Sequence, residues 1–513
     1  MSKYLLAHDL GTSGNKATLF TLDGQLVKST VCTYHTNYFN SNWVEQNPDD
    51  WWRAICDSTK ELLQGIDKKD VLAVSFSGQM MGCLCVDKNG TPLRPSIIWA
   101  DMRAVEEERF LKSRIEQVQF YKTVGHRISS SYGIEKLMWV KNNEPEVYKK
   151  TYKMLNAKDY IVYKMTGKFL TDYSDASGTN AFDINTFKWS EKILDAAGID
   201  GDKMPQIVPS TCVAGEITAK VAKECGLAAG TKVVVGGGDG MCASVGAGSV
   251  SEGQTYNCLG SSSWICTTAK KPIFDEKMRT FNWAHIVPGY VGPCGTMQTA
   301  GAAFNWIKNE LCKIEQEKAL AEGISPYQII NDEIEQSSPT ANGLIFLPYL
   351  LGERSPRWNP NARGAFIGLK MEHTRNDILR SVVEGIAMNL NIILNVLKEQ
   401  LKIEKMVVIG GMAKGQVQRQ ILADVFGMDI LKLNYLEEAT SMGAAITAGV
   451  GIGELAGFHE INKFIKVDAV CKPNQENMKM YAQIIPIFND AYLALEDVFD
   501  KLKTIKAPPA KDI

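Results

Sequence analysis

Two acidic, glycine-rich turns constrain this chain more than any other feature of its sequence. The first covers residues 8–16 (HDLGTSGNK), the second covers residues 236–240 (GGGDG), and each follows a short apolar run. Short apolar runs that end in glycine turns predict buried strands. Each turn therefore places an aspartate, Asp9 or Asp239, at the end of a strand.

The residue types in these turns suit the binding of phosphate groups. Glycines allow backbone N–H groups to approach an anion closely, and the side chains of Thr12, Ser13 and Lys16 add further donors. A carboxylate beside a phosphate can handle Mg²⁺ or accept the proton of a hydroxyl group. One Asp-Gly turn is typical of ordinary loops. The pair of turns predicts phosphoryl transfer.

Length and charge limit the kinds of partner that the chain can have. With 513 residues, the chain is too long for one hydrophobic core, so we expect two large domains with a cleft between them. The formal net charge is −2 and 22% of the residues are charged, which provides no field of one sign to gather a polyanion. We therefore expect a small-molecule partner and no nucleic acid.

Cysteine, histidine and apolar residues are distributed as in a cytoplasmic protein. The 12 cysteines and 6 histidines show no zinc-site spacing, which favours a reducing compartment. The N-terminus lacks the apolar core and cleavage site of a signal peptide, and no stretch of about 18 apolar residues occurs. We expect a cytoplasmic location and no association with membranes.

A second hairpin begins the second half of the chain. Its strands are predicted on either side of residues 259–263, a loop rich in glycine and serine. Both halves thus begin with a hairpin whose loop carries Gly, Ser or Thr. Both halves continue with alternating strands and helices, and this alternation predicts an α/β architecture for each.

A further glycine turn near the end of the chain resembles a nucleotide site. A strand predicted over 406–409 leads into residues 410–415 (GGMAKG), and an amphipathic helix follows over 416–426. A glycine turn at a helix N-terminus suits phosphate binding. The turn does not have the spacing of a dinucleotide fingerprint, and no P-loop motif occurs in the chain, so both of those sites are excluded.

Two longer stretches resemble a known family. Residues 136–143 (KLMWVKNN), and residues 364–369 (GAFIGL) together with 377–384 (DILRSVVE), are similar to the two signatures of the FGGY carbohydrate kinases. The resemblance extends over nearly the whole chain. Within the family, residues 77–82 (SGQMMG) and 352–356 (GERSP) look most like xylulokinases, as do residues 93–95 and 99–103.

The resemblance implies both a fold and an activity. The fold would consist of two α/β, actin-like (ribonuclease-H-like) domains, residues 1–249 and 250–500, that close on a sugar and Mg-ATP, followed by a tail at 501–513. The activity would be transfer of the γ-phosphoryl group of ATP to a hydroxyl of a ketose, with xylulose as the first candidate. A homodimer is an assembly that we also consider.

The resemblance also implies roles for individual residues. Asp239 matches the general base, and Asp9 matches the acid near Mg²⁺, which it would hold directly or through water. The positions that match ATP and phosphate contacts are Thr12, Ser13, Lys16, Ser261, Ser262, Gly301, Asn305, Gly411, Met412 and Gly415. The positions that match the sugar side are Gln79, Met80, Met81, Asp101 and Asp239.

Departures from the xylulokinase pattern leave the substrate open. Met81 and Gly240 replace the usual His and Asn, and Met412 and Gln418 replace a Gly and a Trp. Ribulose, erythritol, glycerol or an aldonic acid are alternatives within the family. An actin-like ATPase that acts as a chaperone or filament module is an alternative from another class. A member that binds sugar without phosphorylating it is a third, although retention of Asp9 and Asp239 argues against it.

Overall fold

The computed structural model describes residues 3–505, which are organised around two mixed seven-stranded sheets. The first sheet draws all its strands from the first half of the chain. Its order is Val213–Glu216, Lys232–Val234, Val71–Gly78, Tyr4–Leu10, Gly14–Thr21 and Leu26–Thr33, with Gly237–Gly238 also paired to Val71–Gly78. Its central pairs, between Val71–Gly78 and its neighbours on both sides, are parallel.

The second sheet has the same number of strands and belongs to the second half of the chain. Its order is Phe281–Ala284, Val291–Met297, Ser263–Thr267, Thr255–Leu259, Lys405–Ile409, Asp429–Leu433 and Val467–Cys471. Each sheet contains a hairpin, Tyr4–Leu10 with Gly14–Thr21 in the first and Thr255–Leu259 with Ser263–Thr267 in the second.

Helices cover the two main sheets. The α-helices of the first half are Pro48–Leu62, Val105–Arg114, Gln117–Val124, Gly133–Asn143, Pro145–Lys150, Ala157–Thr166, Tyr173–Ser177, Glu191–Ala197, Ala219–Cys225 and Asp239–Gly246. Those of the second half are Gly301–Leu311, Lys313–Glu322, Pro326–Glu335, Arg375–Lys398, Gln416–Phe426, Ala439–Gly451 and Gln475–Lys503. The 3₁₀ turns are Lys68–Asp70, Gly201–Lys203, Pro339–Gly343, Gly411–Lys414 and Phe458–Lys463.

The remaining strands form small sheets outside the two main ones. Asn37–Phe39, Trp43–Gln46 and Ser96–Ile97 make a three-stranded sheet. The two-stranded pairs are Leu84–Val86 with Lys153–Leu155, Leu170–Asp172 with Gln206–Val208, Phe182–Asp183 with Lys188–Trp189, and Ile345–Leu347 with Ala365–Ile367. The α/β architecture predicted from the alternation of strands and helices is confirmed.

The register of the first sheet brings the two acidic turns together. Asp9 lies opposite Ser77 in the parallel pair of Tyr4–Leu10 with Val71–Gly78. Gly237 lies opposite the same Ser77 on the other side of that strand. Because carboxyl ends of parallel strands meet at one edge of a sheet, Asp9 and Asp239 reach the same edge although 230 positions separate them.

Two helices join the halves through close backbone contact. Helix Asp239–Gly246 packs against helix Ala439–Gly451, which in turn packs on strands of the first sheet. A Cβ atom on Gly246 would lie 1.8 Å from the carbonyl oxygen of Ala439, and one on Gly443 would lie 2.0 Å from that of Cys242. Only glycine at these two positions permits the helices to approach so closely.

The C-terminal region differs from the prediction. Residues 501–503 were expected to begin a tail, but they continue the helix Gln475–Lys503. Tyr492 and Phe499 of this helix are buried in the hydrophobic core of the second half. Residues 506–513 lie outside the described part of the chain. The helix Arg375–Lys398 is long and apolar enough to cross a membrane, but 83% of its most apolar window is buried inside the protein, as in a core helix.

Candidate active site

Asp9 lies at the end of its strand and faces the edge of the first sheet. Its Oδ1 accepts a hydrogen bond of 2.8 Å from the hydroxyl of Ser77. Burial raises the pKa of Asp9, and this effect outweighs the opposing hydrogen bonds from Ser77 and Thr440 and the charge of Lys16. The site thus holds a carboxylate whose negative charge is costly unless a cation or donor approaches it.

Asp239 is the first residue of the helix Asp239–Gly246. Burial, together with the nearby charge of Asp9, raises its pKa to about 7, although the Gly240 N–H donates to its Oδ1 over 2.7 Å. A carboxylate whose pKa lies near neutral pH is an effective general base. A large fraction of it is deprotonated at that pH, and it is basic enough to accept the proton of a hydroxyl group. The strands that lead to Asp9 and Asp239 both pair with Val71–Gly78, which brings the two acidic turns to the same edge of the sheet.

A buried network fixes the backbone that leads into Asp239. The N–H of Gly238 donates to the hydroxyl oxygen of Ser174 over 2.8 Å, and that hydroxyl donates to Oδ2 of Asp172 over 2.6 Å. The ammonium of Lys158 lies 3.1 Å from Oδ1 of Asp172. Lys158, Asp172 and Ser174 are fully buried. The backbone position of the candidate base therefore depends on a chain of polar contacts behind it.

The same ammonium serves three carboxyl groups. Lys158 lies 2.7 Å from Asp159 and 3.1 Å from Asp175, in addition to its contact with Asp172. Burial raises the pKa of Asp175 well above its ordinary range and also raises that of Asp159. One lysine cannot neutralise three buried carboxylates, so the ionisation of these groups is coupled.

Side chains from several elements hold the loop of the first hairpin. Trp99 Nε1 donates to the hydroxyl of Thr12 over 2.9 Å, and Gln46 Nε2 donates to the Thr12 carbonyl over 2.6 Å. Ser13 at the tip is exposed. Lys16 donates to the carbonyl of Glu437 in the second half over 2.8 Å, and its contact with phosphate remains a prediction. Its ammonium thus joins the two halves next to Asp9.

The loop of the second hairpin is held by the backbone of a helix start. The N–H groups of Ala300 and Ala302 donate to the carbonyl of Ser261 over 2.9 and 3.0 Å, and the N–H of Gly301 donates to the carbonyl of Gly260 over 2.9 Å. A Cβ atom on Gly301 would lie 2.5 Å from that carbonyl oxygen. Glycine is therefore required at 301 for the loop to rest on the helix.

A cavity of about 850 Å³ opens beside this second loop. Six residues predicted to contact ATP line it: Ser261, Gly301, Asn305, Gly411, Met412 and Gly415. The structure thus brings together positions that lie more than 150 residues apart in the sequence. The volume of this cavity is in the range of small-molecule and cofactor sites. Contact of these six residues with ATP remains a prediction.

One wall of this cavity was not predicted. The helix Pro326–Glu335 contributes Tyr327, Gln328 and Asn331. The hydroxyl of Tyr327 donates to Asn305 over 3.2 Å, and Gln418 Nε2 donates to Asn331 over 2.6 Å. This helix has no sequence motif, so no signal in the chain marked it as part of a site.

Asp239 lines a smaller inner cavity of about 130 Å³. Met80 and Met81, both predicted for the sugar side, line it too, and so does Ser262 from the second hairpin. Three tryptophans that were not assigned roles complete its apolar walls: Trp99, Trp264 and Trp283. The candidate base therefore faces a space bounded by both halves of the chain.

Two residues predicted for the sugar side do not line this cavity. The Asp101 carboxylate is fully buried, where it accepts hydrogen bonds from Arg103 and, over 2.5 Å, from the backbone N–H of Val44. Gln79 is also buried and donates to Gln46 over 2.7 Å. The oxygens of Asp101 already have partners inside the protein, and its contact with sugar remains a prediction.

The inner cavity adjoins an outer one of about 450 Å³, and Trp99 and Arg354 line both. The guanidinium of Arg354 makes no ion pair or hydrogen bond with a side chain or carbonyl in residues 3–505. Arg127 also lines the outer cavity, where it donates to the carbonyls of Lys277 and Met278 and lies 5.1 Å from the Trp358 ring. Neither arginine was predicted as a site residue.

The acidic residues of the outer cavity do not cancel these two positive charges. Glu108 pairs with Lys112 over 2.5 Å. Burial raises the pKa of Glu353 to about 7, and its oxygens accept from Gln298 N, Arg354 N and Asn389. The outer cavity is therefore positive at its wall, whereas the inner cavity is acidic at Asp239.

Comparison with known proteins identifies the family. Residues 4–246 match the model described as "FGGY family of carbohydrate kinases, N-terminal domain", and residues 255–452 match its C-terminal counterpart. The chain belongs to the FGGY family of carbohydrate kinases. The first match covers every strand of the first main sheet, and the second covers every strand of the second sheet except Val467–Cys471. An α/β fold of two actin-like domains is thereby confirmed.

Relatives of this FGGY kinase are named for two different activities. It is 31% identical over 508 residues to a gluconokinase of Bacillus licheniformis, with 98% of each chain covered, and 32% identical over 511 residues to a xylulose kinase of Staphylococcus epidermidis, with 98% and 99% covered. Solved structures of a xylulose kinase and a gluconate kinase from Lactobacillus acidophilus both match with TM-score 0.90, at 28% and 29% identity, over 98% of this chain and all of theirs. The enzyme is a carbohydrate kinase, and its relatives leave the substrate undecided.

Proposed function

We propose that this FGGY kinase transfers the γ-phosphoryl group of ATP to a hydroxyl of a small sugar or sugar acid, with Asp239 as general base. The position of Asp239 carries the proposal. Its carboxylate lines the inner cavity together with Ser262 of the second hairpin, and its pKa responds to Asp9 of the first. A base between two glycine-rich loops is the arrangement that this reaction needs.

In the proposed mechanism, the substrate hydroxyl lies in the inner cavity and ATP occupies the larger cavity beside the second hairpin. Asp239 takes the hydroxyl proton as the oxygen attacks the γ-phosphorus, and the bond to the ADP oxygen breaks. Because the transition state is loose, alignment of the two reactants contributes more than the strength of the base. The network through Ser174 supports that alignment by fixing the backbone at Gly238.

We propose that Asp9 holds Mg²⁺, directly or through water. Burial is the main cause of the raised pKa of Asp239 and the charge of Asp9 adds to it, so a cation bound near Asp9 would be stabilised by the carboxylates. Mg²⁺ is usually held by one or two carboxylates and the substrate phosphates, which fits this small donor set. When bound, the ion would neutralise charge on the phosphates. Thr12, Ser13 and the loop at Ser261 remain the proposed phosphate contacts.

The sequence-based candidate substrate is a ketose, with xylulose first. Relatives named xylulose kinase support it. The cavity walls are mostly apolar here, because Met81 and Gly240 stand where xylulokinases usually have His and Asn. A neutral ketose would therefore find few polar partners close to Asp239.

The two arginines favour a second candidate, an aldonic acid such as gluconate. Arg354 reaches both cavities without an anionic partner in residues 3–505, and Arg127 stands on the same outer wall. A carboxylate at one end of the substrate would pair with these guanidinium groups, while a hydroxyl at the other end would face Asp239. A relative named gluconokinase supports this candidate.

An ADP-release assay across ketoses, polyols and aldonates tests the proposal. We expect sugar-dependent ADP release, with a higher kcat/KM for gluconate than for xylulose. Asp239→Asn is the matched control, because it keeps the shape of the side chain and removes the base. ATP hydrolysis that is independent of every sugar tested, and equal in the variant, would contradict kinase activity and favour an actin-like ATPase.

Location and assembly are also part of the proposal. All 12 cysteines are unpaired thiols, which suits the cytoplasm. We retain the homodimer as a proposed assembly, to be tested by multi-angle light scattering of the purified enzyme. A monomer mass of 56.7 kDa at micromolar concentration would exclude a stable dimer.

A further inference from the structure

We infer that Lys136 is a positioning residue that assembles the substrate cavity of this kinase. Its ammonium donates three hydrogen bonds to backbone carbonyls: to Met81 and Ile98 over 2.8 Å each, and to Ser131 over 2.5 Å. An ammonium has three donors and no acceptor, so the three carbonyls use all of them. The lysine is fully buried and therefore does not contact the substrate itself.

Each of the three carbonyls belongs to a different segment of the cavity wall. Met81 lines the inner cavity. Ile98 directly precedes Trp99, which lines both cavities and also donates to Thr12 in the first hairpin. Ser131 lines the outer cavity. One buried ammonium thus connects three wall segments that the polypeptide brings from separate parts of the first half.

The backbone at Met81 shows why such a restraint is needed. Met81 has a φ angle of 63°, in the left-handed region that non-glycine residues rarely adopt. A residue in this conformation persists only when its surroundings hold it there. Lys136 holds the Met81 carbonyl, and Asn156 accepts from the next N–H, that of Gly82, over 3.1 Å. Without the lysine, we expect Met81 to relax and its side chain to leave the cavity wall.

Asp101 fits into the same arrangement. Burial lowers the pKa of Lys136 to about 7, and the charge of Asp101 is the largest of the effects that oppose this decrease. Asp101 therefore stabilises the buried ammonium while its own oxygens bind Arg103 and Val44.

The test is a comparison of Lys136→Met with the wild-type enzyme. Methionine fills a similar volume but donates no hydrogen bond. We expect the KM for the preferred substrate of the panel, gluconate or xylulose, to rise at least tenfold, which corresponds to about 1.4 kcal/mol. We expect kcat to stay within about threefold and the KM for ATP to change far less than the KM for the sugar, because Lys136 makes no hydrogen bond with Asp239 or with the residues that line the nucleotide cavity.

Lys153→Met is the matched control. Lys153 also donates to backbone carbonyls, those of Asp202 and Met204 over 2.6 and 2.9 Å, but it lines neither substrate cavity. The same chemical change there should leave both KM values at the wild-type level. Lys136→Arg keeps a charged donor and should give a KM for the sugar between those of the wild type and Lys136→Met.

The inference rests on the proposed function, and the experiment separates their failures. A wild-type enzyme that is inactive on the whole panel would contradict the proposed function alone. An active wild type with a folded Lys136→Met of unchanged sugar KM would contradict the positioning role. If Lys136→Met and Lys136→Arg both fail to fold while Lys153→Met folds, Lys136 serves general stability and the positioning role is also wrong.

Discussion

The edge of the first sheet and the cavity beside it are built in different ways. At the edge, Asp9 and Asp239 follow strands that flank the same central strand, so sheet register alone brings them together. The substrate cavity instead takes Met81, Trp99 and Arg354 from loops, and buried side chains such as Lys136 hold those loops in place. In the proposed mechanism, the chemical step thus depends on regular structure, and substrate choice depends on loop packing.

This difference explains what the sequence could predict. An apolar run followed by a glycine-rich turn that contains an aspartate is a local pattern. This pattern predicts that the aspartate lies at the end of a strand. The two hairpins and the turn at 410–415 were recognisable for the same reason. The actin-like topology came from family resemblance, because alternation of strands and helices predicts only an α/β class.

The cavity walls were predictable only in part. Met80 and Met81 were identified through the family pattern, and both line the inner cavity. Arg127 could not be found, because no local motif marks it and part of its cavity, including Arg354 and Trp358, comes from residues more than 200 positions away. Arg354 lies in the segment GERSP that resembles xylulokinases, so a signal existed, but the sequence did not show which side chain would remain without a partner.

The largest effect that we predict is at the sheet edge. Asp239→Asn should lower kcat by about 10²–10⁴, because the general base is lost while the shape is kept. The KM for ATP should change little, since the nucleotide cavity is lined by other residues. Steady-state kinetics with the preferred substrate checks this. A kcat within threefold of wild type would remove Asp239 from the mechanism.

The next prediction concerns the cavity wall. Arg354→Met should raise the KM for gluconate by roughly 10- to 100-fold, because a charge-assisted hydrogen bond contributes about 1.5–3 kcal/mol. The KM for xylulose should stay nearly constant, since a neutral ketose has no carboxylate to lose. Parallel kinetics on both substrates is the measurement. An equal increase in the KM for both substrates would show that Arg354 stabilises the cavity without recognising the charge of the substrate.

Ser174→Ala tests the network behind the base. It removes the acceptor for the Gly238 N–H, and we expect kcat to fall about tenfold with both KM values nearly unchanged. Ser177→Ala is a suitable control, because Ser177 lies one helical turn away and its hydroxyl donates to the Ser174 carbonyl without contacting Gly238. Identical kinetics for Ser174→Ala and wild type would show that the hydrogen-bond network behind Asp239 does not contribute to catalysis.

The pH dependence sharpens the comparison further. With a folded-state pKa of about 7, Asp239 is deprotonated above that pH, so kcat/KM should rise with pH through about 7 and then level off. The charge of Asp9 contributes to that raised pKa. The residual activity of Asp9→Asn should therefore show an acid limb shifted to lower pH. An unshifted limb would indicate that the two carboxylates do not interact.

The smallest predicted effect is on stability. The pKa of Asp239 is higher in the folded than in the unfolded chain, so its ionisation destabilises the fold increasingly as pH rises from about 4 to 7. Asp239→Asn should increase the free energy of unfolding at pH 8, and by much less at pH 4. Denaturant unfolding at the two pH values measures this. An equal change at both would exclude Asp239 ionisation as its cause.

The most direct test of the central claim is ³¹P NMR of the complete reaction. Enzyme, Mg-ATP and the preferred sugar or sugar acid are incubated together, and the fate of the γ-phosphate is followed. The account predicts a new phosphate-monoester resonance that grows as the γ-phosphate signal falls, with almost no new signal for Asp239→Asn. Inorganic phosphate as the sole product, formed at the same rate without the sugar, would contradict it.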